Sequence, residues 1–286
     1  MLTIKHILFP CDFSEQCWLA VPFVRAIASR FDARVTVLTI DPPPWAKPPA
    51  ALEAEAALDT RELGIEPRAR LETMLIEEFA GRPVESVAES GDPALRITQY
   101  SHEHAVDLIM MPTHGYGPFR SLLIGSVTAK VLHDANCPIW TATHAEEQQP
   151  TNMPHTILCA VDGTPKSLAV MQWAAGFAHE MAATLKLIHV APRISDALVL
   201  PTEKALQEEV NEQARAKIES LKQSAGVEAP LGIGLGPIAE TVAEAAEQEG
   251  ADLVLIGRGS LQATLGRLRT HAYGIIRKSP CPVLSI

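Results

Sequence analysis

Ser279-Pro280-Cys281-Pro282-Val283-Leu284-Ser285-Ile286 lies at one end of the chain, and Asn136-Cys137-Pro138-Ile139-Trp140 carries the same Cys-Pro-apolar pattern in the middle. Three further pairs follow in the same order at nearly constant offset. His6-Ile7-Leu8-Phe9-Pro10-Cys11-Asp12 pairs with Thr156-Ile157-Leu158-Cys159-Ala160-Val161-Asp162. Ala105-Val106-Asp107-Leu108-Ile109-Met110 pairs with Gly250-Ala251-Asp252-Leu253-Val254-Leu255, and Gly91-Asp92-Pro93 with Gly236-Pro237. Four collinear matches mean one fold written twice, so each residue of interest can be weighed against its counterpart.

Composition sets the class. A length of 286 residues suits two domains, each large enough for its own core. The 47% apolar content excludes a disordered or fibrous chain. No apolar run approaches membrane-spanning length, and Met1-Leu2-Thr3-Ile4-Lys5-His6 does not read as a signal peptide, so a cytoplasmic protein is expected. A net charge of −10 argues against general nucleic-acid binding. Five cysteines without a CxxC pair fit a reducing compartment; Cys11 and Cys159 read as buried packing residues, and Cys137 and Cys281 as thiols that stay reduced.

Short apolar strands alternate with amphipathic helices in both halves, the pattern of a parallel α/β sheet. In the first half, strands are expected over 5–10, 34–40, 84–89, 107–111 and 138–142. A helix from Ser14 buries Cys17, Val21, Val24, Ala28 and Phe31, with a kink at Pro22. Two shorter helices are expected at 50–63 and 69–79, and a helix capped by Asp92 begins at Pro93. Domain 1 spans 1–143, a polar Pro-bearing linker 144–154, and domain 2 155–286. The plainest helix of domain 2 starts at Thr202, buries Leu206, Val210, Ala214, Ile218, Leu221 and Ala225, and ends at Gly226. Ligands of such sheets sit beyond the carboxyl ends of the strands, where strand order reverses.

The strongest motif there is Pro112-Thr113-His114-Gly115, nine residues, then Gly125-Ser126, linking a strand end to a helix start. Glycines admit an anion to backbone N–H groups, a helix N-terminus offers more donors, and Arg120 within the loop could add a charge-assisted contact. The bland alternative is a Gly-rich crossover with a Ser cap. His102-x-His104 reads as solvent-exposed rather than metal-binding. Gly232-x-Gly234-x-Gly236 lacks dinucleotide-fingerprint spacing, and no P-loop is present.

Asp107-Leu108-Ile109-Met110-Met111, Gly115, the nine-residue spacer and Gly125-Ser126 resemble the signature of the universal stress proteins. The opening strand ending at Asp12, the turn Gly91-Asp92-Pro93 and the Cys-Pro strands carry the resemblance over both halves, and the chain is identified as a tandem member. The fold implied is two doubly wound α/β domains, each a five-stranded parallel sheet in the order 3-2-1-4-5 with helices on both faces. The two would form a pseudo-dimer joined through their fifth strands, with a homodimer of such chains as the alternative. The resemblance implies an adenine nucleotide site in domain 1 for ATP, with or without Mg2+. Asp12 would meet adenosine, Ile40 the base, and Gly115, Gly125 and Ser126 the phosphates, with Pro112, His114 and Arg120 around them.

Two departures qualify that expectation. Pro112 stands where the signature has its first glycine and offers no N–H. In domain 2, Asp162 is kept, but Gly257-Arg258-Gly259 is one residue short, and Arg269-Thr270 replaces Gly-Ser. Arg258, Arg267 and Arg269 make either a different anion site or a solvated basic surface. Three functions stay open: a nucleotide-binding regulator of the stress response with a protein partner, a nucleotide-free interaction scaffold, and a slow ATP hydrolase.

Overall fold

The computed structural model describes residues 2–42, 73, 75–79, 84–113, 124–142, 153–194, 201–258 and 268–286. The chain divides into two compact units, one of residues 3–153 and one of residues 154–286 with the first two residues.

The first unit runs β1 (His6–Cys11), α1 (Glu15–Phe31), β2 (Arg34–Asp41), β3 (Val84–Ser90), α2 (Pro93–Glu103), β4 (Leu108–Pro112), α3 (Ser126–Asp134) and β5 (Ile139–Ala142). Its strands lie in the order β3-β2-β1-β4-β5, and every pair is parallel. The expected 3-2-1-4-5 sheet is therefore present, and strand order reverses between β1 and β4. β1 and β4 are buried throughout, as strands covered on both faces must be. Ile7, Leu8 and Phe9 have no exposure, each contributing about 1.5–3 kcal/mol by burial. β3 alternates between exposed and half-buried and forms one edge.

Ser14 caps α1 by accepting from the Cys17 N–H, and Glu15 suits the positive end of the helix. The helix runs unbroken across Pro22, so the expected interruption does not end it, and Cys17, Val21, Val24 and Ala28 are buried as their spacing implies. Phe31 is only half-buried, lying beside the left-handed cap Asp32 that ends the helix. Asp92 caps α2 through the Leu95 N–H at 3.0 Å and also takes Lys130 of α3 at 3.1 Å, tying two helices of one face together. The expected helix at 50–63 lies outside the described residues. Of that at 69–79, residues 73 and 75–77 are helical, and Phe79 packs edge-on against Phe9 with ring centroids 6.5 Å apart.

The second unit repeats the order: β6 (Thr156–Ala160), α4 (Ser167–Met181), β7 (Thr184–Ala191), α5 (Pro201–Ala225), β8 (Leu231–Leu235), α6 (Ile238–Gln248), β9 (Leu253–Ile256), α7 (Leu268–Lys278) and β10 (Val283–Ser285). Its strands lie β8-β7-β6-β9-β10, again all parallel. Gly226, at φ +66°, ends α5 as expected. The buried stripe of α5 differs from expectation. Leu206 is 50% exposed while its neighbour Gln207 is 3% exposed. The reason is a backbone demand: the Gln207 amide accepts from Ile194 N and donates to Pro192 O, serving polar groups just past β7 that a leucine would leave unpaired.

One device is common to both units and holds the foot of the central strand. Asp107 accepts from Lys5 N at 2.7 Å and His6 N at 2.9 Å. Asp252 accepts from His155 N at 2.8 Å and Thr156 N at 2.9 Å. The acid beside each fourth strand thus satisfies the backbone donors of the first residue of the central strand and of the residue before it.

All five cysteines are free; Cys11 and Cys159 are buried as expected. Burial pushes the thiols of Cys159 and Cys281 up to about 12, which keeps both protonated and unreactive. Among the described residues no helix is long and apolar enough to cross a membrane, and no group of His, Cys, Asp and Glu could hold a metal ion.

Candidate functional site

The carboxyl ends of β2, β1 and β4 bring Ile40, Asp12 and Pro112 of domain 1 to the same edge of the sheet, on the two sides of the order reversal. Asp12 follows β1 directly. Its carboxylate is exposed and accepts from Ser14 N at 2.9 Å, a small Asx turn that includes Phe13 in the left-handed region at φ 61°. Ile40 is half-buried and pairs with Glu89 of β3.

Pro112 closes β4, paired with Ala142, and is buried. Having no N–H, it acts through its carbonyl, which accepts from the buried hydroxyl of Thr128 at 3.2 Å and so fixes α3 to the end of β4. Gly125 is the N-cap of α3 and supplies no side-chain cap. Its N–H donates to Thr113 O at 2.9 Å, which draws the two ends of the loop together. In this structure that donor is engaged within the protein. Ser126, the first residue of α3, is exposed. His114, Gly115 and Arg120 lie outside the described residues.

The corresponding turn of domain 2 holds its acid differently. Asp162 Oδ1 accepts from Thr164 N at 2.9 Å, Thr164 Oγ1 at 2.8 Å and Ser167 Oγ at 2.7 Å. Burial works to raise this carboxyl, but the hydroxyl of Ser167 and the two donors of Thr164 outweigh it and hold the group below its ordinary range. Gly163 takes the left-handed position at φ +72°, and a Cβ there would lie 3.2 Å from Ile218 Cδ1.

Asp162, Gly257 and Arg258 line a single open cavity of about 360 Å3 at the carboxyl ends of β6 and β9. Lys166, Ser167 and Trp173 of α4 complete its wall, and Ile286 closes it beside β10. Gly257 fits because Val170 of α4 leans on it: a Cβ would fall 2.9 Å from Val170 Cγ2. Gly259 lies outside the described residues, as do the side chains of Arg269 and Thr270 at the start of α7, so three of the six expected domain 2 residues are seen together. The α4 contributors were missed in the sequence, although their signal was there: residues 166, 170 and 173 share one helical face.

The other candidates are structural. His102 and His104 are exposed, and the His104 ring stacks on Tyr100 at 3.8 Å between centroids. Gly232 and Gly234 belong to β8, and a Cβ at Gly234 would collide with Thr241 of α6, so Gly234 admits a helix there.

The sequence profile of the universal stress protein family matches residues 3–142 and, a second time, 153–286. The chain belongs to the universal stress protein family. About half of the chain aligns with each of two curated relatives. A universal stress protein of Methanocaldococcus jannaschii is 31% identical over 137 residues, 47% of this chain and 79% of its own length. One of Thermus aquaticus is 33% identical over 138 residues, 47% of this chain and 96% of its own. A solved universal stress protein of Archaeoglobus fulgidus covers 99% of this chain and 96% of its own at a TM-score of 0.66 and 19% identity, a likeness of fold. This universal stress protein is thus a tandem member carrying two copies of the family fold.

Proposed function

We propose that this chain is a cytoplasmic regulator of the stress response whose domain 1 binds an adenine nucleotide, ATP with or without Mg2+, and passes that state to a protein partner. The observation that carries the reading is Asp12. It stands exposed at the order reversal and, among the described residues, accepts one hydrogen bond, so its second oxygen is open to a ribose hydroxyl or a base amine. Ile40 flanks it on β2, and Ser126 stands at the helix start where a phosphate is favoured. The family signature supports the same assignment.

Calorimetry on nucleotide-stripped protein tests it. Saturable heat with ATP that falls sharply in Asp12→Ala is the expected outcome, and no heat with ATP, ADP or AMP would overturn the reading.

A nucleotide-free scaffold is favoured by one specific pair of facts, the missing N–H of Pro112 and the Gly125 N–H committed to Thr113. Affinity that emerges only in Pro112→Gly would establish that alternative. A slow hydrolase rests on analogy of fold alone, and phosphate release that survives both Asp12→Ala and Gly115→Glu would belong to a contaminant.

A further inference from the structure

We propose that His6 is an acid-sensitive switch at the foot of domain 1: neutral, it holds the Arg34 guanidinium, and protonated, it releases Arg34 and donates to the His104 carbonyl instead. The switch is independent of the nucleotide reading, since His6 stands at the amino end of β1 and Asp12 follows its carboxyl end.

Geometry sets up the exchange. His6 is buried, and its Nδ1 meets two groups of opposite demand. Arg34 Nη2, at 3.0 Å, only donates, and the His104 carbonyl, at 3.2 Å, only accepts. Nε2 lies 2.8 Å from Thr36 Oγ1, and Thr36 in turn bonds the Tyr100 hydroxyl, so its oxygen can accept from Nε2–H. In the neutral ring the Nδ1 lone pair then takes the guanidinium, because the charge-assisted contact is the stronger of the two. An added proton goes to Nδ1. It gives the His104 carbonyl a donor and sets an imidazolium against a guanidinium at the same nitrogen. Arg34 is exposed and enters no ion pair with a described residue, so its side chain can swing into water.

The surrounding charges fix the direction. Arg34 reaches the ring from β2, Asp107 from just before β4 and His104 from the end of α2, while Lys5 stands exposed just before β1. α1 packs on the other face of β1, against Cys11. Burial lowers the ring's affinity for a proton most, and the His104 carbonyl opposes it. Arg34 and the His104 ring lower it further, and Asp107 raises it. The exchange therefore falls below the ordinary value of 6.5. The corresponding residues of domain 2 cannot exchange a proton this way. Thr156 and Thr184 are paired there as His6 and Arg34 are here, and Lys186, in the place of Thr36, is bridged to Glu249.

Proton–nitrogen correlation NMR of the full chain between pH 7.5 and 5.5 tests the exchange, with the His6 ring assigned by its loss in His6→Gln. At pH 7.5 the ring should carry its proton on Nε2 with Nδ1 bare, and the Arg34 guanidinium should rotate slowly. On acidification Nδ1 should gain a proton and the Arg34 signals should average, both with one midpoint. Arg34→Met should raise the proton affinity of the ring several-fold, and Arg34→Lys, which keeps a cation, should raise it less. A ring already protonated at Nδ1 at pH 7.5 would overturn the proposal. So would Arg34 signals that ignore the His6 transition, or a midpoint unchanged in Arg34→Met. Arg34 is exposed, so its replacement keeps the fold, and the spectra of the unaltered chain decide the matter even without it.

Discussion

Asp12-Phe13-Ser14 and Asp162-Gly163-Thr164 are the same turn built twice, and they differ in what surrounds the acid. Each places its middle residue in the left-handed region and each acid accepts from the N–H two residues on, at 2.9 Å. The contrast comes from α1 and α4. Ser167 Oγ donates to Asp162, whereas its counterpart Cys17 turns its sulfur to Pro10 O at 3.7 Å. Two hydroxyls thus separate an acid anchored in its own loop from one left open: that of Ser167, replaced by the Cys17 thiol, and that of Thr164, whose counterpart Ser14 caps α1 instead. Burial first, then a hydrogen bond with Cys11, pushes the Cys17 thiol well above its ordinary range, so it cannot serve Asp12 as an anion or exchange partner. Duplication preserved the backbone and let the two carboxylates take different roles.

The largest test asks where the halves should still behave alike. Asp107 and Asp252 make the same pair of bonds to the donors at the start of the central strand. Asp107→Ala and Asp252→Ala should each cost about 3 kcal/mol, the range for two hydrogen bonds to a charged group in a partly exposed setting. Denaturant unfolding measures both, and costs differing several-fold would break the equivalence of the halves at the foot of their sheets.

Next comes the turn itself. Gly163→Ala should destabilise domain 2 by about 1–2 kcal/mol, because a Cβ is strained at φ +72° and Ile218 stands close behind it. Phe13 already bears that strain at φ 61°, so Phe13→Gly should cost less than removing a half-buried ring normally does. Equal large losses would show that the two turns are not equivalent.

The binding contrast is sharper still in kind, though smaller in free energy. Asp12→Ala should weaken nucleotide binding about tenfold, near 1.4 kcal/mol, while Asp162→Ala should leave it unchanged. Cys17→Ser is the finer probe. It gives domain 1 the hydroxyl that anchors Asp162 in domain 2, and calorimetry should find nucleotide affinity reduced by a smaller factor than in Asp12→Ala. Unchanged affinity in Cys17→Ser would separate the acid's anchoring from its role in binding.

Much of the fold is legible in the residues themselves. The Cys-Pro strands reveal the duplication, and alternating strands and helices reveal the sheet, because burial on both faces leaves an unmistakable apolar signature at β1, β4, β6 and β9. The site is legible only where it is local. Asp12, Pro112 and Gly125 stand in a short motif, but the partner of Asp107 lies about a hundred residues away in the chain, and the role of that acid becomes visible only on folding. Gln207 defeats the helical stripe for a related reason: a backbone demand past β7 outweighs the apolar period. Lys166 and Trp173 read as ordinary helix surface until β9 is placed beneath them.

The smallest effect concerns pH and again divides the halves. His6 of domain 1 is 3% exposed, whereas Thr156 holds its place in domain 2. Its Nδ1 lies 3.0 Å from Arg34 Nη2. The guanidinium only donates and the His104 carbonyl, 3.2 Å from the same Nδ1, only accepts, so these two neighbours favour opposite protonation of Nδ1, while Nε2 lies 2.8 Å from Thr36 Oγ1. Burial first, with Arg34 adding, holds the ring below its ordinary value of 6.5, against the opposing pull of the His104 carbonyl and Asp107. The folded state therefore binds fewer protons than the unfolded one in the window just below that value. Stability is full above pH 6.5 and declines as pH falls through that window. Denaturant unfolding at pH 7.5 and 5.5 should show domain 1 weakening, and His6→Gln, which keeps a polar side chain but cannot charge, should flatten the slope. A slope unchanged in His6→Gln would assign the acid sensitivity elsewhere and remove this distinction between the halves.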